Sequence, residues 1–194
     1  MNEYTPPHNP KKAILISLLC FITAAGFLFA GALDFGYRLL MQLIALTAAV
    51  VGIQITSRFI LSVYTYKVEL SNHGGFDFIV IKNANKSHKI VCNLDMSTGL
   101  AIIPHAKPKD NEKRFGHIKR FFYYTSNMSP IKPGDFKNMP DIKTSFYDYI
   151  FEFNDEIQVI VIECSEEFMK YIEAHIGSPT QSNKDIFESP DNGE

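Results

Sequence analysis

Charged residues are nearly absent from the first third of this 194-residue chain. Residues 1–64 contain only six of them, whereas residues 67–194 contain 15 basic and 19 acidic side chains. With only three cysteines and 11 glycines, the sequence lacks both a disulfide framework and the glycine repeat of collagen. Large apolar residues are abundant, which excludes a wholly disordered chain. Two unlike parts therefore combine to give the overall charge of −2.

Two long apolar runs fill the charge-poor part. Residues 13–33 carry no charge, and residues 39–64 carry only Arg58. A helix needs about 20 apolar residues to cross the hydrocarbon core of a lipid bilayer, so each run is long enough. Only residues 34–38 separate the runs, and so short a connection makes the two helices antiparallel neighbours. The sequence predicts a transmembrane hairpin with an external turn at residues 34–38.

Basic residues flank the two ends of this hairpin unequally. Lys11, Lys12, Arg58 and Lys67 lie near its open end, while Arg38 alone lies in the turn. Because lysine and arginine favour the cytoplasmic side, we expect residues 1–12 and the C-terminal part in the cytoplasm and the protein in the cell membrane. Arg58 lies close enough to the end of its span for its side chain to extend to the surface.

Small residues recur at a spacing of four in each span. Gly26 and Ala30 form one pair, and Ala48 and Gly52 form the other. Such pairs let helix backbones approach closely, so we expect packing within the hairpin, with association between chains as the alternative. Neither span carries Asp, Glu, Lys or His near its middle, so ion or proton transport by this hairpin alone is not expected.

From residue 65 onward the apolar residues alternate, as in β-strands. The pattern predicts a mainly-β domain over residues 65–177 with strands at 66–70, 76–82, 88–94, 99–104, 121–127, 147–153 and 157–164. Ser165 has the features of a helix N-cap, and Phe168 and Ile172 lie on one face of the helix that follows it. Residues 178–194 are polar and acidic, which is typical of a disordered tail.

A basic segment interrupts the strands at residues 107–120. It lacks either periodicity, so we predict a long exposed loop. Its six basic residues are candidates for contact with anionic lipid headgroups, and the alternative is a solvated loop facing the acidic half of the domain. They are Lys107, Lys109, Lys113, Arg114, Lys119 and Arg120.

The order of these features resembles the bacterial pleckstrin-homology-like domain membrane proteins. The resemblance lies in the hairpin and in the segments 66–70, 93–96, 122–124, 149–153 and 165–168. It implies a seven-stranded bent sandwich or barrel, capped by the C-terminal helix, at the cytoplasmic membrane face. The turn at residues 71–75 has no Lys or Arg, so the phosphoinositide site of the wider fold is not carried over.

Enzyme motifs are missing from the sequence, which contains no HExxH, CxxC, glycine-rich phosphate loop or GxSxG elbow. We expect no catalytic residue, cofactor or metal. His105 and His117 are expected to face solvent, and Asp148, Glu152 and Glu163 to lie on the solvated face of the last hairpin. The three cysteines are expected to act as small apolar side chains. Nucleic-acid binding is not expected from a net-acidic domain without an exposed aromatic row.

Two functions remain open. The first is a membrane-anchored, non-enzymatic interaction module that presents its β domain to a protein partner or to the anionic membrane surface. The second is an accessory or regulatory subunit of a larger membrane complex, acting through its hairpin.

Overall fold

The computed structural model describes residues 2–33, 37–71, 74–84 and 87–177. Two predictions, the tail at residues 178–194 and most of the external turn, lie outside these residues. The described part has two long apolar helices followed by a mainly-β region with two sheets.

The helices α1 (Lys11–Ala32) and α2 (Arg38–Ile55) pack against each other in antiparallel directions. Ser17, near the start of α1, donates a hydrogen bond to the Gly52 carbonyl near the end of α2, at 3.3 Å. Most of their apolar side chains face outward and remain exposed. By length and composition, both helices can cross a membrane.

One π-helical turn, Thr56–Ile60, ends the second helix. The Leu61 N–H donates to the Thr56 carbonyl at 3.0 Å, and the Ser62 hydroxyl donates to the Ser57 carbonyl at 2.8 Å. The helix therefore stops before residue 64, where the sequence pattern had placed its end. Strand formation begins at once, because the β-branched and aromatic residues after position 62 favour extended backbone.

Among the described residues, eight strands form two four-stranded sheets. The first sheet has the order β1-β2-β3-β4, with β1 at Glu3–Tyr4, β2 at Ser62–Leu70, β3 at Phe76–Ala84 and β4 at Ser87–Asp95. The second has the order β5-β7-β8-β6, with β5 at Gly99–Pro104, β6 at Ile118–Tyr124, β7 at Ser145–Phe153 and β8 at Glu156–Cys164. All neighbours are antiparallel except β6 and β8. The short strand β1 was not predicted; it joins the N-terminal segment to the β region.

The main core lies between the two sheets. Tyr66 and Phe78 of the first sheet and Tyr149 of the second are fully buried there. Helix α4 (Glu166–Glu173) covers this core with Phe168 and Ile172. Ser165 caps α4 as predicted, because its hydroxyl accepts the Phe168 N–H at 3.3 Å.

A second apolar cluster covers the outer face of the second sheet. Ile150 of β7 and Val159 of β8 are buried in it, with Phe115 packed against them. Phe115 belongs to helix α3 (Pro108–Phe115), so the prediction of a loop at residues 107–120 is wrong. The helix has Pro at its start and ends at Gly116, whose φ is +89°. Its eight residues are too few to display a clear helical period.

Candidate functional site

An open apolar groove lies between β4 and β6. Strand β4 ends the first sheet and β6 ends the second, so the groove follows the gap between two sheet edges. Its volume is about 330 Å³. The walls include Val91, Cys92 and Leu94 from β4, Phe122 and Tyr124 from β6, and Phe153 from β7.

Of the two edges, that of β4 is the more open to pairing with another chain, because side chains of Arg58 and Tyr66 already bond the Tyr123 and Tyr124 carbonyls of β6. Within the described residues, β4 is bonded only to β3, and β6 only to β8. The Tyr124 hydroxyl reaches the Val91 carbonyl across the groove, but at 3.5 Å this bond is long. A free edge beside apolar pockets is the arrangement that binds an extended peptide as an added strand.

Apolar surface inside the groove is accessible. Phe153 is 52% exposed although it lines the groove. Cys92 lies deeper, and burial raises the pKa of its thiol to about 11. The thiol is therefore protonated at neutral pH and acts as a small apolar surface, as the sequence predicted. The groove offers shape and apolar contact rather than a reactive group.

Asn127 connects the β region to the segment that precedes α1. Its side-chain amide donates to the Pro7 carbonyl at 2.8 Å, and its side-chain oxygen accepts the Asn9 N–H at 2.7 Å. Lys12 lies in the first turn of α1, and its ammonium donates to the Ser129 hydroxyl at 2.8 Å. These bonds hold the first helix against the loop after β6, so hairpin and β region are joined at more than the α2–β2 connection.

Arg58 makes the corresponding contact from the second helix. Its Nη2 donates to the Tyr123 carbonyl of β6 at 3.0 Å, and its guanidinium carbon lies 5.0 Å from the centre of the Phe59 ring. The crevice beside it has a volume of about 330 Å³ and is also lined by His105 and Phe146. Arg58 thus turns toward the β region rather than into the helix pair.

Glu163 lies fully buried on the outer face of β8, so the prediction of a solvated position is wrong. Its carboxylate accepts bonds from the Asn127 backbone and side-chain amides at 3.1 and 2.8 Å, and from the Thr144 hydroxyl at 2.8 Å. Burial raises the pKa of Glu163, although the bonds from Asn127 and Thr144 oppose that shift. Asn127 and Thr144, at the two ends of the connection between β6 and β7, therefore cover this carboxylate.

Asp148 is likewise buried instead of solvated. Its carboxylate accepts hydrogen bonds from His105 Nδ1 at 2.6 Å and from Asn111 Nδ2 at 2.6 Å. The Ala106 N–H adds a third bond at 3.2 Å. Because Asn111 belongs to α3, this carboxylate fixes the helix on the outer face of the sheet. His105 is therefore paired and partly covered, whereas His117 is exposed as expected.

All six predicted contact lysines and arginines are exposed, but they extend along the domain instead of forming one patch. Lys107 and Lys109 follow His105 in the sequence. The His105 ring lies 6.2 Å from the ring of Tyr123, and the Tyr123 carbonyl accepts the hydrogen bond from Arg58. Lys119 pairs with Glu156 at the opposite end of β6. The seven residues of β6 cover about 20 Å, and this distance separates Lys107 and Lys109 from Lys119 and Arg120.

The four small residues of the hairpin occupy different surroundings. Gly52 is buried, and a methyl group there would meet Cys20 and Phe21 at 3.2 Å, so it lies in the helix–helix contact. Ala30 and Ala48 are partly buried. A methyl group at Gly26 would meet nothing within 4 Å, so this glycine faces away from α2. The expected packing role therefore fits Gly52 but not Gly26.

Within the part of the chain that the structure describes, no three His, Cys, Asp or Glu side chains are grouped to hold a metal ion. Comparison of the chain with protein-family models, with curated proteins and with solved structures finds no match.

Proposed function

We propose that this protein is a membrane-anchored, non-enzymatic interaction module whose groove between β4 and β6 binds an extended segment of a protein partner. The observation that carries the proposal is the groove itself, in which the outer edge of β4 borders exposed apolar side chains such as Phe153. An added strand pairs its backbone with such an edge and places alternate side chains in the pockets.

The hairpin supplies the location in this proposal. The two apolar helices cross the cell membrane, and Lys11, Lys12 and Lys67 keep both chain ends on the cytoplasmic side. Contacts of Asn127 and Arg58 support a fixed orientation of the β region on the hairpin. The two-sheet architecture with α4 over the core is compatible with the resemblance to pleckstrin-homology-like domains, which is part of the proposal.

A second contact belongs to the proposal. Lys107 and Lys109, at the start of α3, follow His105, which lines the crevice beside Arg58 of the second helix, and in this proposal they contact anionic lipid headgroups. Each basic residue near an anionic surface contributes about 1 kcal/mol. This contact would orient the domain further, while Lys119 and Arg120 lie too far along β6 to take part.

Selection of displayed peptides against the full chain in lipid nanodiscs tests the groove. We expect selected peptides with alternating apolar residues whose affinity falls about tenfold in Phe153→Glu, a loss typical of one buried aromatic contact. Leu70→Glu is the matched control, because Leu70 is 71% exposed at the end of β2 and does not line the groove. Peptides that bind both variants equally well would contradict the proposal. A constant stoichiometric membrane partner, copurified through the hairpin, would favour the accessory-subunit function.

A further inference from the structure

The last described residue, Gly177, lies beside one end of the groove. Its N–H donates to the Met96 carbonyl at 3.1 Å, and Met96 directly follows β4. The chain after Gly177 therefore continues from the Leu94 end of the groove. Nine extended residues reach about 30 Å, which equals the length of the nine-residue strand β4. The segment between Gly177 and position 187 is therefore long enough to reverse direction and to reach any part of the groove along β4.

Residues 178–194 have a composition that suits this groove. Ile186 and Phe187 are adjacent large apolar residues in an otherwise polar segment with four acidic side chains and one lysine. The end of β4 far from Gly177 carries His88 and Lys89, both exposed. A segment running antiparallel to β4 would turn Phe187 of this pair toward the groove wall, because neighbouring side chains of an extended chain point to opposite faces. The acidic residues after Phe187 would then lie near these basic side chains.

We propose that residues 184–188 of this chain bind in the groove between β4 and β6 and cover it until a partner segment displaces them. The contact between tail and groove stands on the position of Gly177 and on the composition of the segment; its regulatory meaning rests on the function proposed above. A tethered segment competes well against a free one, because its effective concentration is high when the linker spans the distance.

The chain contains no tryptophan, so a single introduced one reports on this contact. In the full chain in nanodiscs, we expect Phe187→Trp to emit at shorter wavelength and to be less quenched by iodide than the control Ser182→Trp. Adding Phe153→Glu to Phe187→Trp should shift the emission back, and adding Leu70→Glu should not. Emission and quenching equal to those of the control, or unchanged by Phe153→Glu, would overturn the proposal.

A second variant guards against a local effect of Phe153→Glu on the fold. Phe187→Ser changes only the tail, and in a chain that carries Phe153→Trp as its single tryptophan it should shift the emission to longer wavelength and increase quenching by iodide. Emission and quenching that are equal with and without Phe187→Ser would count against docking of the tail in the groove.

Peptide affinity separates this inference from the proposed function. A groove-binding peptide should bind several-fold more tightly to the double variant Ile186→Ser, Phe187→Ser than to the unaltered chain. If the tryptophan shift is present but no peptide binds, the tail contact stands and the proposed function fails. If peptides bind with the same affinity with and without the tail substitutions, the covering role fails and the proposed function stands.

Discussion

Asn127 donates two hydrogen bonds to the carboxylate of Glu163, from its backbone N–H at 3.1 Å and from its side-chain amide at 2.8 Å. The same side chain bonds Pro7 and Asn9 in the segment before the first helix. One amide therefore connects the second sheet to the base of the hairpin. We expect the orientation of the β region to depend on this residue more than on any exposed ion pair nearby.

Replacing Asn127 with aspartate places a second carboxylate against Glu163. Asn127→Asp should cost on the order of 3–5 kcal/mol of stability at neutral pH, because it leaves two buried charges facing each other. The two carboxylates raise each other's pKa, so the folded state binds more protons than the unfolded state and stability should recover as the pH falls toward 4. Thermal unfolding of the detergent-solubilised protein at several pH values measures this. A thermal midpoint equal to that of the unaltered protein at pH 7 would contradict the assigned geometry.

Glu163→Gln should change the pH dependence of stability. The pKa of Glu163 is raised in the folded protein from a value of 4.5, mainly by burial. Ionisation is therefore more costly in the folded than in the unfolded state, and this carboxyl lowers the free energy of unfolding as the pH rises above 4.5 toward the raised pKa.

Glutamine does not ionise, so the variant should lack this fall in the free energy of unfolding with rising pH. The substitution itself should cost about 1–3 kcal/mol of stability, because the new NH₂ group faces an Asn127 donor. Thermal midpoints between pH 4.5 and 7 compare the two slopes, starting at the unperturbed pKa. Parallel curves for the variant and the unaltered protein would show that Glu163 does not titrate differently on folding.

Asp148→Ala should release helix α3. The substitution leaves the buried Asn111 amide and the Ala106 N–H without an acceptor, at a cost of about 1–3 kcal/mol for each unpaired group. We expect faster hydrogen exchange across Pro108–Phe115 and a lower thermal midpoint. Asp141→Ala is the control, since Asp141 is exposed. Unchanged exchange in α3 would mean that Phe115 alone holds the helix in place.

The basic residues at the two ends of β6 should differ in their contact with anionic lipid. In nanodiscs, anionic lipid should slow hydrogen exchange at the start of α3 relative to zwitterionic lipid, and Lys107→Gln with Lys109→Gln should remove the difference. The pair Lys119→Gln with Arg120→Gln should leave it, because these residues lie at the other end of β6. Equal effects of the two double variants would indicate a long-range charge effect instead of contact with the surface.

The apolar helices and most strands could be predicted because their signals are local. Residues 13–33 are uniformly apolar, and β7 and β8 alternate clearly enough to locate the turn at Asn154 and Asp155, both with positive φ. The strand β1 could not be predicted, because two residues acquire strand geometry only by pairing with Lys67 and Tyr66. Whether the fold is pleckstrin-homology-like stays a prediction.

The buried carboxylates show why the site was harder to predict. Asp148 and Glu163 follow the alternation of a hairpin with one wet face, so they were expected in solvent. A signal was nevertheless present: Ile150, Val159 and Val161 on that same outer face are apolar, which indicates a covered face. The cover is α3 with its neighbouring loops, and its eight-residue helix gave no period to detect.

The most direct test of a partner-binding groove is photo-cross-linking in the native membrane. A photoreactive amino acid at position 153, compared with one at position 70, should attach one defined polypeptide, with the attachment site in an extended segment of that protein. Both positions are exposed, so accessibility alone does not distinguish them. Cross-linking from position 153 and not from position 70 is the predicted result; equal cross-linking from both positions, or attachment only to lipid, would contradict the account.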